Sequence, residues 1–383
     1  MFDPTIYERA INAGMVPAYK RKAEARGRRS LPPGTVVVST DNHWSVSEDI
    51  FYERFPAHLR DRAPRIVLEK GGAIDWYVDG KSSIPQAVKS AFSDFERVPG
   101  CSKLAPRLQD LDTEGVDKEI VFGNGVGIFF HYPDLEVREW VFRIYNQYLA
   151  EMQLRAPGRF YGVGLINYWD MAKTRESLAE LKGLGLKTFL LPQNPAGAEF
   201  SPLNYAAPEM DPLWQVIEEA GLPFCFHVGE FFRDGPGSLG TTTLVGFGPF
   251  RKNLGELIFA GIFDRHPKLR AVFVEADINW VPGALQSAEM VYARFQHLIE
   301  PKIKYHPAYY WQHNCYATFM TDPLGLRLLD QIGADRVMWS SDYPHLEGMY
   351  GTGWTAMQEV VDAVSADDAR KMLGGTAIEL FSL

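Results

Sequence analysis

The stretch Pro223-Phe224-Cys225-Phe226-His227-Val228-Gly229 is a short apolar run that carries a histidine close to its carboxyl end. A nearly continuous apolar run of this length is typical of a parallel strand that is buried on both faces of a sheet. The stretch therefore predicts an interior strand that delivers an imidazole to the carboxyl edge of that sheet.

Similar runs recur along the chain from residue 35 onward and alternate with amphipathic stretches of helical period. The other predicted strands are Val36–Thr40, Glu119–Gly123, Phe160–Asn167, Lys187–Pro192, Arg270–Ala276, Cys315–Met320 and Arg336–Asp342. The clearest helical stretches are Leu135–Leu154, Ala172–Leu184 and Asp211–Ala220. Eight strands that alternate with helices predict an α/β fold, a (β/α)8 TIM barrel.

The chain of 383 residues is longer than a bare barrel of about 250 residues. We assign the excess to a basic N-terminal arm, residues 1–34, and to a cap insertion, about residues 44–118, after the first strand. A shorter insertion, residues 229–250, follows the fifth strand and either orders over a substrate or packs passively on the barrel rim. Residues 35–383 are then a single metal-dependent barrel domain.

Composition argues against several classes of protein. The 39 basic and 48 acidic residues give a net charge of −9, so the chain lacks the positive field that neutralises nucleic-acid phosphates. Cys101, Cys225 and Cys315 form no C-x-x-C pair, which speaks against a thiolate zinc site and a disulfide framework. No apolar run reaches the roughly 18 residues of a membrane span, and residues 1–14 do not resemble a signal peptide. We expect a cytoplasmic protein without nucleic-acid or membrane partners.

Polar side chains of one chemical kind occupy the predicted strand ends. Because the active site of a (β/α)8 barrel lies at the carboxyl ends of its strands, these side chains are expected to converge. Imidazoles and carboxylates are ligands for zinc, iron or manganese. The predicted metal ligands are Asp41, His43, His227, Glu275, Asp342 and His345.

Other residues near the strand ends are candidates for the substrate pocket. His131 follows the second strand and could reach a substrate. The aromatic residues expected to line the pocket are Phe129, Phe130, Trp280 and Tyr343. Arg60, Arg62 or Lys70 of the cap insertion would either clamp a carboxylate or lie on the surface.

The sequence resembles the amidohydrolase-2 family, which includes aminocarboxymuconate-semialdehyde and resorcylate-type decarboxylases. The resemblance covers about residues 35–383, and its most specific motif is Ser341-Asp342-Tyr343-Pro344-His345. The other segments that carry it are Asp41-Asn42-His43 with Glu48, Arg54-Phe55-Pro56, Arg60–Pro64, Leu108–Val116, Tyr145-Asn146, Pro157–Phe160, His227 and Trp280-Val281-Pro282. It implies a metalloenzyme with the amidohydrolase barrel.

Two positions depart from the pattern of the family. Asp41 stands where a histidine or glutamate is common, and Glu275 stands where a histidine usually serves as proton donor or base. Six ligand-type residues are also many for one ion and divide naturally between two. This set resembles the dinuclear non-haem iron or iron–manganese hydroxylases of the same fold.

The leading hypothesis from the sequence is therefore an O2-dependent hydroxylase with two iron or manganese ions. It would hydroxylate an unactivated carbon of a small carboxylate or amino-acid-like substrate, with Asp342 and Glu275 as catalytic residues. The alternative is a hydrolase or a non-oxidative decarboxylase of a small aromatic acid, in which zinc or another metal activates water and Asp342 acts as general base. A third hypothesis is a silent subunit, and we expect a homo-oligomer or a hetero-oligomer with a related chain.

Overall fold

The structure is a computed structural model and describes residues 16–27, 30–69, 73–82, 84, 89–195, 204–230, 235–246 and 248–383. Lys70 lies outside the described residues. No helix in the described part of the chain is long and apolar enough to cross a membrane.

Eight parallel strands form the barrel, and each overlaps one of the runs predicted from the sequence. Neighbouring strands along the chain pair in the order in which they occur. The strands are β1 (Val38–Trp44), β5 (Lys118–Gly123), β6 (Phe160–Leu165), β7 (Thr188–Leu190), β8 (Phe224–His227), β9 (Ala271–Val274), β10 (Cys315–Phe319) and β11 (Val337–Trp339). The predicted TIM barrel is confirmed.

The barrel closes between its first strand and the segment that follows its last strand. The backbone N–H of His43 donates to the carbonyl of Tyr343 at 2.7 Å, and the N–H of Asp342 donates to the carbonyl of Asp41 at 2.8 Å. Asn42 and Tyr343 form a parallel bridge. Closure therefore places residues 41–43 directly beside residues 342–345.

Helices surround the barrel and fill its bottom. The described α-helices are Ile50–Arg54, Lys89–Phe95, Leu104–Glu114, Leu135–Arg155, Met171–Gly183, Asp211–Ala220, Ser238–Val245, Gly248–Phe259, Ile262–Arg265, Trp280–Phe295, Pro307–Asn314, Pro323–Arg327, Leu329–Ile332, Gly353–Ala363, Ala366–Arg370 and Thr376–Phe381. Leu380 and Phe381 of the last helix pack against the side chains inside the barrel, which include Val38, Phe122 and Val274. The interior is thus a packed core, and only its carboxyl-terminal end is free for polar chemistry.

The cap insertion contains a small antiparallel sheet, in which β2 (Arg65–Leu68) and β4 (Lys81–Ser82) flank β3 (Ile74–Val78). Trp76 of β3 is buried against Phe51 and Phe129, so this sheet shares a core with the loop after β5. Folded structure in this insertion agrees with a cap, whereas the division at residue 34 stays a prediction.

Candidate metal centre

Six side chains meet at the carboxyl end of the barrel, and all six were predicted there. They form two groups of four, and within each group the potential ligand atoms lie within 4.8 Å of one another. The two groups are Asp41, His43, His227 and Glu275, and His43, Glu275, Asp342 and His345. Because the groups share His43 and Glu275, the six side chains form one continuous cluster.

The alternation of side chains along β1 explains why Asp41 and His43 face the cluster while Asn42 does not. The side-chain oxygen Oδ1 of Asn42 accepts hydrogen bonds from the hydroxyls of Ser39 and Ser341, both at 2.8 Å, and from the backbone N–H of Tyr343 at 3.0 Å. Its amide nitrogen donates to Glu119 at 2.7 Å. Asn42 thereby joins the two segments that carry four of the six candidate ligands.

Glu275 and Asp342 both have left-handed backbones, with φ of 54° and 51°. This conformation is uncommon for residues other than glycine, and it costs on the order of 1–3 kcal/mol per residue. The N–H of Glu275 donates to the Thr318 hydroxyl at 2.9 Å, which helps to hold the turn. The fold thus maintains strain at two strand ends whose carboxylates point into the cluster.

The imidazoles lie between the carboxylates at short distances. His43 Nε2 is 3.3 Å from Asp41 Oδ1 and 3.1 Å from Asp342 Oδ1. His227 Nε2 is 3.3 Å from Asp41 Oδ1 and 3.6 Å from Glu275 Oε2. His345 Nδ1 is 3.0 Å from Asp342 Oδ1, and its ring stacks on that of His43 with centroids 3.7 Å apart.

Several of these buried nitrogen and oxygen atoms form no hydrogen bond with the described residues, although they lie close to one another. They are Asp41 Oδ2, both ring nitrogens of His43 and both carboxylate oxygens of Asp342. Buried polar atoms are normally satisfied, since leaving one unpaired costs about 1–3 kcal/mol or more for a charged group. A divalent cation would supply the missing partner, so this donor set fits a metal ion.

The His227 ring is oriented to bind a metal ion through Nε2. Its Nδ1 lies 2.7 Å from the Val228 carbonyl, which can only accept a hydrogen bond, so Nδ1 carries the hydrogen. The lone pair of the neutral ring therefore sits on Nε2, which faces Asp41 and Glu275. Metal-binding histidines commonly donate their other ring nitrogen to a carbonyl in this way.

Burial and neighbouring charges shift the pKa values of the carboxyl groups in opposite directions. Burial raises the pKa of Asp342 to about 7, in spite of the nearby His345. Burial and the charge of Asp342 raise the pKa of Glu275 well above its usual range. Burial alone would raise the pKa of Asp41, but the adjacent His227 and His43 hold it below its usual range. The cluster therefore combines one carboxyl whose pKa is lowered, Asp41, with two whose pKa values are raised, Asp342 and Glu275.

The candidate pocket residues lie in different surroundings. His131 is partly exposed, and its Nε2 lies 3.6 Å from the buried carboxylate of Glu230 after β8. The Phe129 ring is fully buried between Trp76 and Tyr132. The neighbouring Phe130 is buried as well and contacts Phe142 and Tyr168.

The structure does not bring Trp280 or Tyr343 to the cluster. Trp280 packs on Phe273 and Trp311 in the helical layer outside the barrel, because its helix turns away from β9. Tyr343 follows Asp342 and points to the opposite side, where its hydroxyl donates to Asp110 at 2.6 Å. Arg60 and Arg62 are exposed, and Arg62 pairs with Asp134.

Sequence reasoning missed two polar residues around the cluster. Asn124 is 5% exposed, and its side-chain oxygen lies 2.9 Å from His345 Nε2. Glu347 is close enough to influence the pKa values of Glu275 and Asp342 by its charge. Asn124 follows a predicted strand, and Glu347 lies two residues beyond His345, so the strand-end rule applied to every polar residue would have found both.

A family model described as amidohydrolase matches residues 127–383, which is more than half of the chain. The chain belongs to the amidohydrolase family. The matched residues include four of the six clustered side chains, namely His227, Glu275, Asp342 and His345. The resemblance found in the sequence is thus confirmed at the level of the family.

Individual relatives of this amidohydrolase are distant in sequence. The γ-resorcylate decarboxylase of Rhodococcus jostii is 26% identical over 303 residues, which cover 72% of this chain and 87% of the relative. The 5-carboxyvanillate decarboxylase of Sphingomonas paucimobilis has a similar structure, with a TM-score of 0.68, 19% identity and coverage of 91% of this chain and all of that one. The 5-carboxyvanillate decarboxylase of Novosphingobium aromaticivorans, solved with manganese and 4-hydroxy-3-methoxy-5-nitrobenzoic acid, gives a TM-score of 0.69 at 18% identity and covers 94% of this chain and 99% of that one.

These comparisons correct the leading hypothesis from the sequence. The prediction of an O2-dependent hydroxylase is wrong, because the relatives are decarboxylases, namely of γ-resorcylate, 5-carboxyvanillate and 2,6-dihydroxybenzoate. The premise behind it was that Glu275, in place of a histidine, leaves no general acid. A buried carboxyl with a raised pKa can itself serve as a general acid.

Proposed function

We propose that this amidohydrolase is a metal-dependent, non-oxidative decarboxylase of a small hydroxylated aromatic carboxylic acid. The observation that carries the proposal is the convergence of three imidazoles and three carboxyl groups in one buried cluster, where burial also raises the pKa of Asp342 and of Glu275. The substrates named for the relatives, resorcylate and carboxyvanillate, support the substrate class.

The reaction replaces a carboxylate on the ring by hydrogen. A proton adds to the ring carbon that bears the carboxylate, the bond between these two carbons breaks, and its electron pair returns to the ring as CO2 leaves. No oxidant or reductant is consumed. The protein must therefore supply one proton in a water-poor site, and a positioned acid of this kind contributes typically 10²–10⁴-fold to the rate.

Asp342 and Glu275 are the residues we assign to that proton. Asp342 is fully buried, and its pKa of about 7 leaves a substantial protonated fraction near neutral pH. Glu275 lies in the same cluster, and the charge of Asp342 raises its pKa. The two carboxyl groups titrate together, so they can share one proton. The substrate carboxylate would accept a hydrogen bond from His131, which Glu230 holds at the rim.

The metal ligands we propose are Asp41, His43, His227 and His345. Asp342 and Glu275 line the same cluster and join them only in their ionised form, because a carboxyl oxygen that carries the transferable proton does not bind the ion. A bound divalent ion would polarise the carboxylate or hydroxyl oxygens of the substrate as a Lewis acid. Imidazole and carboxylate donors suit manganese, iron and zinc, and the manganese of a structural neighbour favours manganese. The two overlapping groups of four give the centre the capacity for a second ion.

The direct test is decarboxylation by the metal-loaded protein under nitrogen. Purified protein with Mn²⁺ is mixed with 2,6-dihydroxybenzoate or 5-carboxyvanillate, and CO2 and the ring product are quantified together with bound metal per chain. We expect turnover of a hydroxylated aromatic acid without O2, and a loss of 10²–10⁴-fold in kcat for Asp342→Asn and Glu275→Gln.

The control variant is Asp112→Asn, which changes an exposed carboxylate paired with Arg159 and should keep the full rate. Metal-loaded protein that releases no CO2 from any hydroxylated benzoate would contradict the proposal. So would full activity of both active-site variants.

We also propose that the chain associates with a second copy of itself. The helix Ser238–Val245 has no buried residue, and Leu239, Leu244 and Val245 on it are exposed. Light scattering after gel filtration should give at least a dimer, and Leu244→Glu should shift it toward the monomer. A wild-type protein that is monomeric at all concentrations would overturn this assignment.

A further inference from the structure

A line of buried hydrogen bonds connects the cap sheet to His345. The backbone N–H of Ile74 in β3 donates to Glu96 at 2.7 Å, and the other oxygen of Glu96 accepts from the Ser45 hydroxyl at 3.3 Å. Ser45 accepts from the side-chain nitrogen of Asn124 at 3.0 Å, and the Asn124 oxygen lies 2.9 Å from His345 Nε2. The three intermediate side chains are at most 5% exposed, so little water competes with these bonds.

The two ends of the Asn124 amide have different surroundings. Its nitrogen faces the Ser45 hydroxyl, whose hydrogen is directed to Glu96, and also lies 3.8 Å from the Cys101 sulfur. The hydrogen-bond geometry therefore places the amide nitrogen on this side, where it donates to Ser45. The carbonyl oxygen then faces His345, and an oxygen can only accept a hydrogen bond.

His345 Nε2 must therefore carry a hydrogen, and in the neutral ring the lone pair is on Nδ1. That atom lies 3.0 Å from Asp342 Oδ1, on the side of the cluster. The ring is held in its plane by His43 on one side, with centroids 3.7 Å apart, and by Phe95 at 4.5 Å. Phe95 and Glu96 are adjacent in the cap insertion, so one segment of the cap contacts both the ring and its hydrogen-bonded support.

We propose that Asn124 is a positioning residue that holds His345 as the Nε2–H tautomer, and that Glu96 and Ser45 enforce this orientation from the cap. His345 thereby presents Nδ1 as a ready donor for a divalent cation. The inference rests on the metal centre of the proposed function, but it does not depend on decarboxylation.

The first test reads the tautomer in metal-free protein by nitrogen-15 NMR of histidine-labelled chain. His345→Gln identifies the His345 signals, because it removes them. Spectra are recorded at a pH high enough to keep the ring neutral, and there we expect the hydrogen on Nε2 and none on Nδ1 in the wild type. Asn124→Leu should shift the ring toward the other tautomer, whereas Asn124→Asp, which keeps an acceptor, should preserve it.

The second test measures the affinity for Mn²⁺ by titration, without turnover. Loss of such an orienting partner typically weakens metal binding 10–100-fold, so Asn124→Leu should fall in that range and Asn124→Asp should recover most of it. Asn146→Leu is the matched control, since Asn146 is a buried amide with two bonds to the Leu165 backbone and no contact with the cluster. It should lower stability and leave both the tautomer and the affinity unchanged.

If Asn124→Leu does not fold, Ser45→Ala serves in its place, because it removes the acceptor that orients the amide and should give mixed tautomers. A wild-type His345 protonated on Nδ1, or an unchanged tautomer in both Asn124→Leu and Ser45→Ala, would overturn the inference. A protein that decarboxylates nothing but shows the expected tautomers would refute only the proposed function.

Discussion

Arg107 is a fully buried cation that supports the cluster from behind β1. Its Nε and Nη2 donate to the two oxygens of Glu119 at 2.8 and 2.7 Å, and its Nη1 donates to the carbonyl of His43 at 2.8 Å. Glu119 in turn accepts from Asn42. The bidentate ion pair of Arg107 and Glu119 therefore binds the His43 carbonyl and the Asn42 side chain, and so fixes the strand that carries the candidate ligands Asp41 and His43.

Removing one partner of this pair leaves a buried charge without compensation. We expect Arg107→Met to lower the free energy of unfolding by about 3–5 kcal/mol, measured by urea denaturation. Arg54→Met is the control, since Arg54 forms a comparable bidentate pair with Glu151 at the surface, where such a pair contributes about 0–1 kcal/mol. Equal losses in the two variants would contradict this account.

At the scale of elements, the described part of the N-terminal arm contributes to the site. Ala18 is fully buried, and the guanidinium of Arg21 donates to the carbonyls of Leu346 at 2.7 Å and Gly348 at 3.2 Å. These carbonyls belong to the loop that carries His345. Burial of Ala18 and Arg21 thus packs this segment of the arm against the loop.

Loss of these two hydrogen bonds should loosen the loop. The N–H groups of Gly348 and Met349 donate to the carbonyls of His345 and Ser341. In Arg21→Met, we expect these two N–H groups to exchange their hydrogens faster, as measured by mass spectrometry. Lys20→Met is the control, because Lys20 is exposed and contacts only the Tyr19 ring among the interactions described. Unchanged exchange in the Arg21 variant would show that the loop is held by other contacts.

At the scale of the whole molecule, Glu114 links the arm, the barrel and the carboxyl-terminal part of the chain. It is 1% exposed, and its Oε1 accepts from the backbone N–H groups of Glu24 at 3.1 Å and Gly351 at 2.7 Å. Burial raises the pKa of Glu114 to about 7 from an ordinary value of 4.5. The folded chain therefore keeps a proton that the unfolded chain releases.

This difference makes stability depend on pH in a defined direction. The bound proton contributes about 3 kcal/mol to the free energy of unfolding below pH 4.5, and this contribution is lost as the pH rises to about 7. Glu114→Gln keeps an oxygen acceptor but does not titrate, so its stability relative to wild type should rise across this range. Chemical denaturation at several pH values tests this, and Glu151→Gln at an exposed position should give no such trend.

Much of this architecture was predictable from local patterns, because strands buried on both faces require continuous apolar runs. All eight runs became barrel strands, and the helix Asp211–Ala220 has the predicted bounds. Asp211 is the first residue of this helix, follows the N-cap Met210, and pairs with Arg265 and His266. The three cysteines are buried and free, and Cys225 and Cys315 lie in the predicted strands.

The sequence by itself determined the barrel and the six residues that converge, because strand order and strand ends follow from the period of the apolar pattern. It could not assign the aromatic side chains, since Tyr343 and Trp280 lie beside candidate ligands in the chain but turn away from them in space. It also could not show that Asn124, Arg21 and Arg107 support the cluster, because their partners lie 221, 325 and 64 positions away along the chain. Only the closed barrel, which excludes water and brings carboxyl groups within a few ångströms of one another, decided which of their pKa values are raised and which is lowered.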